Sequence, residues 1–245
     1  MHDSDSWPLG PEQLELGEGE VHVWRVSLDC REAVLRRLEA TLAPDEKARA
    51  SRFLFERDRN GFITARGVLR ELLGRYLKCS SAQVKFDYGP TGKPYLAPGS
   101  VEPPVQFSVS HSHGLALLAF AVGLDLGVDV ELVRPDFASD EIAERFFSPE
   151  EVSELRALPP PLRAEGFFLC WTRKEAYVKA RGEGLQIPLD SFCVSLTPGQ
   201  PERLQSADTS RWSLVSLRPG REYVGALVGE GRGWRLCCWD WRPLH

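Results

Sequence analysis

At 245 residues, with 42% hydrophobic and 27% charged side chains, the chain can bury a sizeable core and suits one large domain or two of about 120 residues. Its formal net charge of −5 gives no overall attraction to nucleic acid or to an anionic membrane, so any phosphate ligand has to be held by a local basic cluster. The first residues lack a basic, apolar leader pattern and no stretch approaches 18 continuous apolar residues, which reads as a cytoplasmic protein without a membrane span. Six cysteines without a CxxC pair read as reduced and mostly buried, Cys170 in particular as a core thiol.

In chain order, residues 1 to 20 are rich in Gly, Pro and acids and are expected to pack loosely until the alternating strand Val21 to Val26. A helix is expected from Cys30 to Leu42, and a second opens at Pro44-Asp45-Glu46, with proline early and acids in the first turn. Phe62, Ala65, Leu69, Leu72, Leu73 and Tyr76 recur at three and four, predicting an amphipathic helix from Asp58 to Leu77. Gly-Pro, Gly-Lys-Pro, Ala-Pro-Gly and Pro-Pro punctuate 84 to 105 as turns around a short extended piece. Strands follow at Phe107 to Ser110 and Gly114 to Val122, flanking a polar turn at His111-Ser112-His113, and then at Leu126 to Glu131. Helices are predicted over 140–147, 148–158 (opened by a Ser-Pro-Glu-Glu cap) and 162–180, the last stopping at Gly182 to Gly184. Four further strands begin at Ser191, Trp212, Tyr223 and Trp234.

One offset relates three landmarks. Pro44-Asp45-Glu46 and Pro149-Glu150-Glu151, Gly61-Phe62 and Gly166-Phe167, and Phe107-Ser108 and Trp212-Ser213 are each 105 residues apart. Shared spacing across helix start, long helix and strand argues for two copies of one α+β unit, divided near residue 124 into 1–124 and 125–245.

Two stretches carry chemistry. In the strand Leu126-Gly-Val-Asp-Val-Glu131, Asp129 and Glu131 project to one face and Val128 and Val130 to the other. Two carboxylates that close repel unless they share a cation or proton, which makes them a candidate site for a hard divalent metal. In the helix Phe168-Leu-Cys-Trp-Thr-Arg-Lys-Glu-Ala-Tyr-Val-Lys179, Trp171, Glu175 and Lys179 lie on one stripe. Taken alone, the acids also fit a solvated strand face, and Glu175 with Lys179 fits a surface ion pair.

Together these motifs resemble the signature of the Sfp-type 4′-phosphopantetheinyl transferases. The resemblance extends to Gly92-Lys93-Pro94, to Phe107-Ser-Val-Ser110-His111-Ser and to Arg145-Phe-Phe-Ser-Pro-Glu150, in order over roughly residues 44 to 195. It implies an α+β fold of two similar halves related by a pseudo-twofold axis, with the active site in the cleft between them. It implies Mg²⁺ held by Asp129, Glu131 and Glu175, with coenzyme A as co-substrate. Glu175 would also deprotonate the attacking serine, and Lys179 would bind and protonate the leaving phosphate. Lys93, Pro94, Ser110 and His111 would contact coenzyme A, and Arg49, with Arg52 and Arg66 nearby, its 3′-phosphate. Some relatives carry a lysine where this chain has Glu46, which leaves Lys47 or Arg49 to supply that charge. The implied reaction is Mg²⁺-dependent transfer of 4′-phosphopantetheine from coenzyme A to a serine of an acyl or peptidyl carrier protein, for polyketide or nonribosomal peptide synthesis, by a monomer. The alternatives are a metal-dependent nucleotide or coenzyme A phosphohydrolase and a catalytically silent coenzyme A binding module.

Overall fold

In the computed structural model, residues 7–89, 92–97, 104–183 and 187–243 are described. The turns expected at 90–91 and 98–103, and Gly184, lie outside them.

The first unit runs β1 (Glu20–Ser27), α1 (Glu32–Thr41), α2 (Pro44–Ala50), α3 (Glu56–Tyr76), a 3₁₀ turn, the hairpin β2 (Phe86–Tyr88) and β3 (Pro94–Leu96), then β4 (Val105–Ser112) and β5 (Leu115–Val122). The second repeats that order: β6 (Leu126–Leu132), α4 (Asp140–Phe146), α5 (Pro149–Ala157), α6 (Pro160–Arg181), a 3₁₀ turn, the hairpin β7 (Cys193–Val194) and β8 (Leu204–Gln205), then β9 (Trp212–Gly220) and β10 (Tyr223–Glu230). Strand order β1-β5-β4 in one sheet matches β6-β10-β9 in the other.

The repetition reaches side chains. Glu46 and Glu151 each sit third in their helix, and each turns its carboxylate back to the backbone N–H at the N-cap. The prolines at 159–161 do separate α5 from α6, but they also open α6, where proline's missing N–H costs nothing. Gly182, with φ 71°, closes that helix in the left-handed conformation.

Three apolar clusters define the layers. Trp24 and Val26 of β1 and Leu118 and Phe120 of β5 pack on α3, while Val224, Ala226 and Val228 of β10 pack on α6. Between the sheets lie Val21 and Val23, Leu117 and Ala119, Val128 and Val130, and Leu227. Each sheet is therefore covered on both faces, which is why Leu-Ala-Leu-Leu-Ala-Phe-Ala-Val reads as a continuous apolar run rather than an alternating one.

Two expectations are corrected. Residues 7 to 16 do not pack loosely: Leu9 bridges Asp240, Trp7 donates its indole N–H to the Arg218 carbonyl, and Leu14 is buried. His111 is not in a turn but in β4; the reversal falls at His113 and Gly114, φ 44° and 93°, the two positive values that a tight hairpin turn needs. The last strand, β11 (Arg235–Asp240), lies beyond residue 125 yet joins the first unit's sheet, parallel to β1.

Candidate active site

The two sheets meet edge to edge at β4 and β6 through a ladder of serine side chains. Ser108, Ser110 and Ser112 alternate on β4, and their hydroxyl oxygens accept the N–H groups of Val128 at 3.1 Å, Val130 at 3.4 Å and Leu132 at 3.3 Å. Two of the hydroxyls also donate onward, Ser110 to Asp129 Oδ1 at 2.6 Å and Ser112 to Glu131 Oε2 at 2.5 Å. The alternation Ser-x-Ser-x-Ser signals such a polar face, but only Ser110 stands out in the sequence reading, and as a ligand contact. Here its hydroxyl is buried and donates to Asp129.

On β6, Val128 and Val130 face the intersheet cluster, and Asp129 and Glu131 face α6, as their alternation predicts. The glycine ahead of them has a steric reason. A Cβ on Gly127 would lie 2.1 Å from the Ala176 carbonyl oxygen and 2.4 Å from the Ala180 nitrogen, so only glycine lets β6 come this close to α6. Along α6, Trp171, Glu175 and Lys179 form the half-buried stripe of an otherwise buried stretch.

Lys179 Nζ donates to Asp129 Oδ1 at 2.7 Å and to the Val128 carbonyl at 3.2 Å, so its ion pair is with β6 and not with Glu175 one turn away. Asp129 Oδ2 is buried with no partner. Burial foremost, and Asp129 beside it, hold the Glu175 carboxyl above its ordinary value, with Lys179 opposing. Glu131 is likewise raised, by burial first, against the Ser112 hydrogen bond.

The donor set is made of hard oxygens, and the orphaned Asp129 Oδ2 and the two raised carboxyls are what a divalent cation would relieve. Among the described residues no three His, Cys, Asp or Glu side chains are gathered to metal-binding geometry. Magnesium does not need that, because it takes one or two carboxylates and completes its shell with water and phosphate. The residues present fit it.

Lys93, next to Pro94 at the start of β3, reaches across to α6, donating from Nζ to the Lys179 carbonyl at 2.7 Å. Burial lowers its pKa, as does Lys179, against Asp125. His111 follows Ser110 on β4, its side chain open to the solvent; desolvation by the surrounding walls first, then Lys179 and Arg49, lower its pKa and favour the neutral ring. It lines a cleft of about 1240 Å³ with His113, Arg49, Phe53, Arg57 and Phe62. The walls of this cleft come from the first unit, and the β4–β6 seam lies at its His111 end.

Glu46 is not a lost cation of that cleft. It is buried, accepting Arg70 Nε at 2.6 Å and lying 3.5 Å from Arg66 Nε, which leaves Arg49 and Arg57 as cations on the wall. Arg49 stacks over Phe62 at 5.3 Å, while Lys47 and Arg52 are not on that wall. Cys170 is fully buried and its thiol is pushed well up by burial, which removes it as a nucleophile.

Family models match both units: residues 28–122 fit the 4′-phosphopantetheinyl transferase N-terminal model, and 125–228 fit that of the 4′-phosphopantetheinyl transferase superfamily. The 4′-phosphopantetheinyl transferase HetI of Nostoc sp. is 42% identical over 96% of this chain and 98% of its own. The chain belongs to the 4′-phosphopantetheinyl transferase superfamily. The transferase Sfp of Bacillus subtilis is 31% identical over 65% of this chain and 69% of its own length. A solved holo-(acyl-carrier-protein) synthase from Bacillus anthracis, in complex with coenzyme A, overlaps 44% of this chain and 96% of its own at 21% identity, with a TM-score of 0.39.

Proposed function

We propose that this transferase works at the β4–β6 seam, with Asp129, Glu131 and Glu175 holding Mg²⁺, one or two of them directly and the rest through its water, while the cleft beside His111 receives coenzyme A. The reaction is that of the family: 4′-phosphopantetheine passes from coenzyme A to a serine of a carrier protein. The observation that carries the assignment of residues is the Ser110–Asp129 bond, because it fastens the strand of His111 to the strand of the carboxylates. Bound there, the cation would neutralise charge on the pyrophosphate.

The protein's own groups divide the remaining work. Lys93 and His111 approach the seam from the first unit, and Arg49 offers a guanidinium to the 3′-phosphate. Glu175, half-buried on the α6 stripe with Lys179, would take the serine proton. The serine oxygen then attacks the β-phosphorus, the phosphoanhydride bond breaks, and adenosine 3′,5′-bisphosphate leaves with its charge met by Lys179. Both sets of residues lie in one chain, which supports a monomer whose units are 1–124 and 125–245, with β11 returned to the first. Its length and doubled architecture support carriers of polyketide or nonribosomal peptide synthesis, and its six unpaired thiols a reducing, cytoplasmic setting.

Incubation with coenzyme A, Mg²⁺ and several apo-carrier proteins, read by intact mass, tests this. Gain of the phosphopantetheine mass on the carrier is expected, and excess chelator should abolish it. Cleavage of coenzyme A with the carrier unchanged would favour a phosphohydrolase instead.

A further inference from the structure

Lys174 stands immediately before Glu175 on α6. Its side chain is fully buried, and its ammonium makes three contacts: Glu151 Oε2 at 2.7 Å and the carbonyls of Leu189 and Phe192, both at 2.6 Å. An ammonium has three N–H donors, so all are spent. Glu151 in turn accepts the Ser148 N–H at 2.8 Å and the Val194 N–H at 2.7 Å. One ion pair thus ties α6 to the start of α5, to the 3₁₀ turn Leu189–Ser191 and to β7.

The first unit contains the same device with a different cation. Arg70 Nε meets Glu46 Oε2 at 2.6 Å, and its NH1 group donates to the carbonyls of Ser81 at 3.0 Å and Val84 at 2.9 Å, the residues that open and follow the matching 3₁₀ turn. The residue after Arg70, Glu71, is occupied by Trp241 and Arg37 and faces no seam. Only in the second unit does the ion pair stand next to the reacting carboxylate.

A buried ion pair is weak evidence for stability, since apolar replacements of similar volume are often as stable. What it fixes is direction. Successive residues of a helix point about 100° apart, so locking Lys174 toward the 3₁₀ turn sets where Glu175 and Lys179 point. Gly127 limits how near β6 lies to the Ala176–Ala180 stretch of α6.

We infer that Lys174 is a positioning residue, which with Glu151 locks the rotation of α6 and so aims Glu175 and Lys179 at β6. This rests on the proposed site. The double variant E151Q/K174M removes both charges and avoids an unpaired buried one. It should stay folded by thermal denaturation and keep its KM for coenzyme A, while kcat falls by about 10²-fold, as a misplacement of about 1 Å can cause. K174R should retain kcat, because Arg70 makes the equivalent bonds. A folded double variant with wild-type kcat, or K174R as impaired as the double variant, would overturn the inference. Wild-type protein inactive on every apo-carrier would instead reject the proposed function.

Discussion

The Ser110 hydroxyl donates to Asp129 Oδ1 at 2.6 Å and accepts the Val130 N–H at 3.4 Å, so one side chain both closes the seam between the two sheets and holds a carboxylate of the site. Ser110→Ala should cost about 1–3 kcal/mol by urea denaturation, the range for stranding a buried partner. It should also raise the Mg²⁺ concentration needed for half-maximal transfer. If only the KM for coenzyme A rises, Ser110 is a ligand contact after all.

Gly127→Ala should be far more damaging than its single methyl group suggests. With the new Cβ 2.1 Å from the Ala176 carbonyl oxygen, either β6 or α6 must move, and overpacking of this kind costs about 1–3 kcal/mol or more. A lowered Tm with lost transfer is expected, and wild-type activity would show that the close approach is dispensable.

Acid dependence follows from Glu175 and Glu131, both raised chiefly by burial. Between the ordinary carboxylate pKa and the raised one, the folded metal-free chain binds protons that the unfolded chain has released. Its stability therefore falls as pH rises through that window, and the deficit is complete above it. Near neutral pH, Glu175→Gln should raise the Tm of the metal-free protein, and the difference should vanish as pH is lowered toward the ordinary carboxylate value. An equal or lower Tm at neutral pH would contradict this.

Arg49→Ala should raise the KM for coenzyme A far more than that for 3′-dephospho-coenzyme A, because the lost partner is the 3′-phosphate. Equal losses with both would move that contact to another residue, with Arg57 on the same wall the first to test.

How much of this was legible beforehand depended on how far apart the partners lie in the chain. The faces of β6 and α6 follow from periods of two and about four, and the offset of 105 captured the doubled element order because equivalent helices and strands keep nearly equal lengths. Glu46 looked like a missing cation because its partner, Arg70, is 24 residues away on another helix and leaves no local pattern. The same holds for Lys174, whose partners at 151, 189 and 192 are separate in sequence. Polar residues mark turns, so the sequence predicts a turn at His111, but at a sheet edge beside a cleft a strand can carry them too.

The pairing of β11 with β1 has a consequence for biosynthesis. Arg25 of the first strand binds Asp240 of the last through two hydrogen bonds, at 2.5 and 2.7 Å, across 215 residues of chain. The sheet under α3 therefore lacks a strand until residue 240 has left the ribosome, although its other strands are synthesised by residue 122. Until then one edge of β1 is unpaired, the kind of edge that recruits other chains. The emerging polypeptide should depend on chaperones longest at its oldest end, and the second unit, though made later, can complete its own three-stranded sheet first.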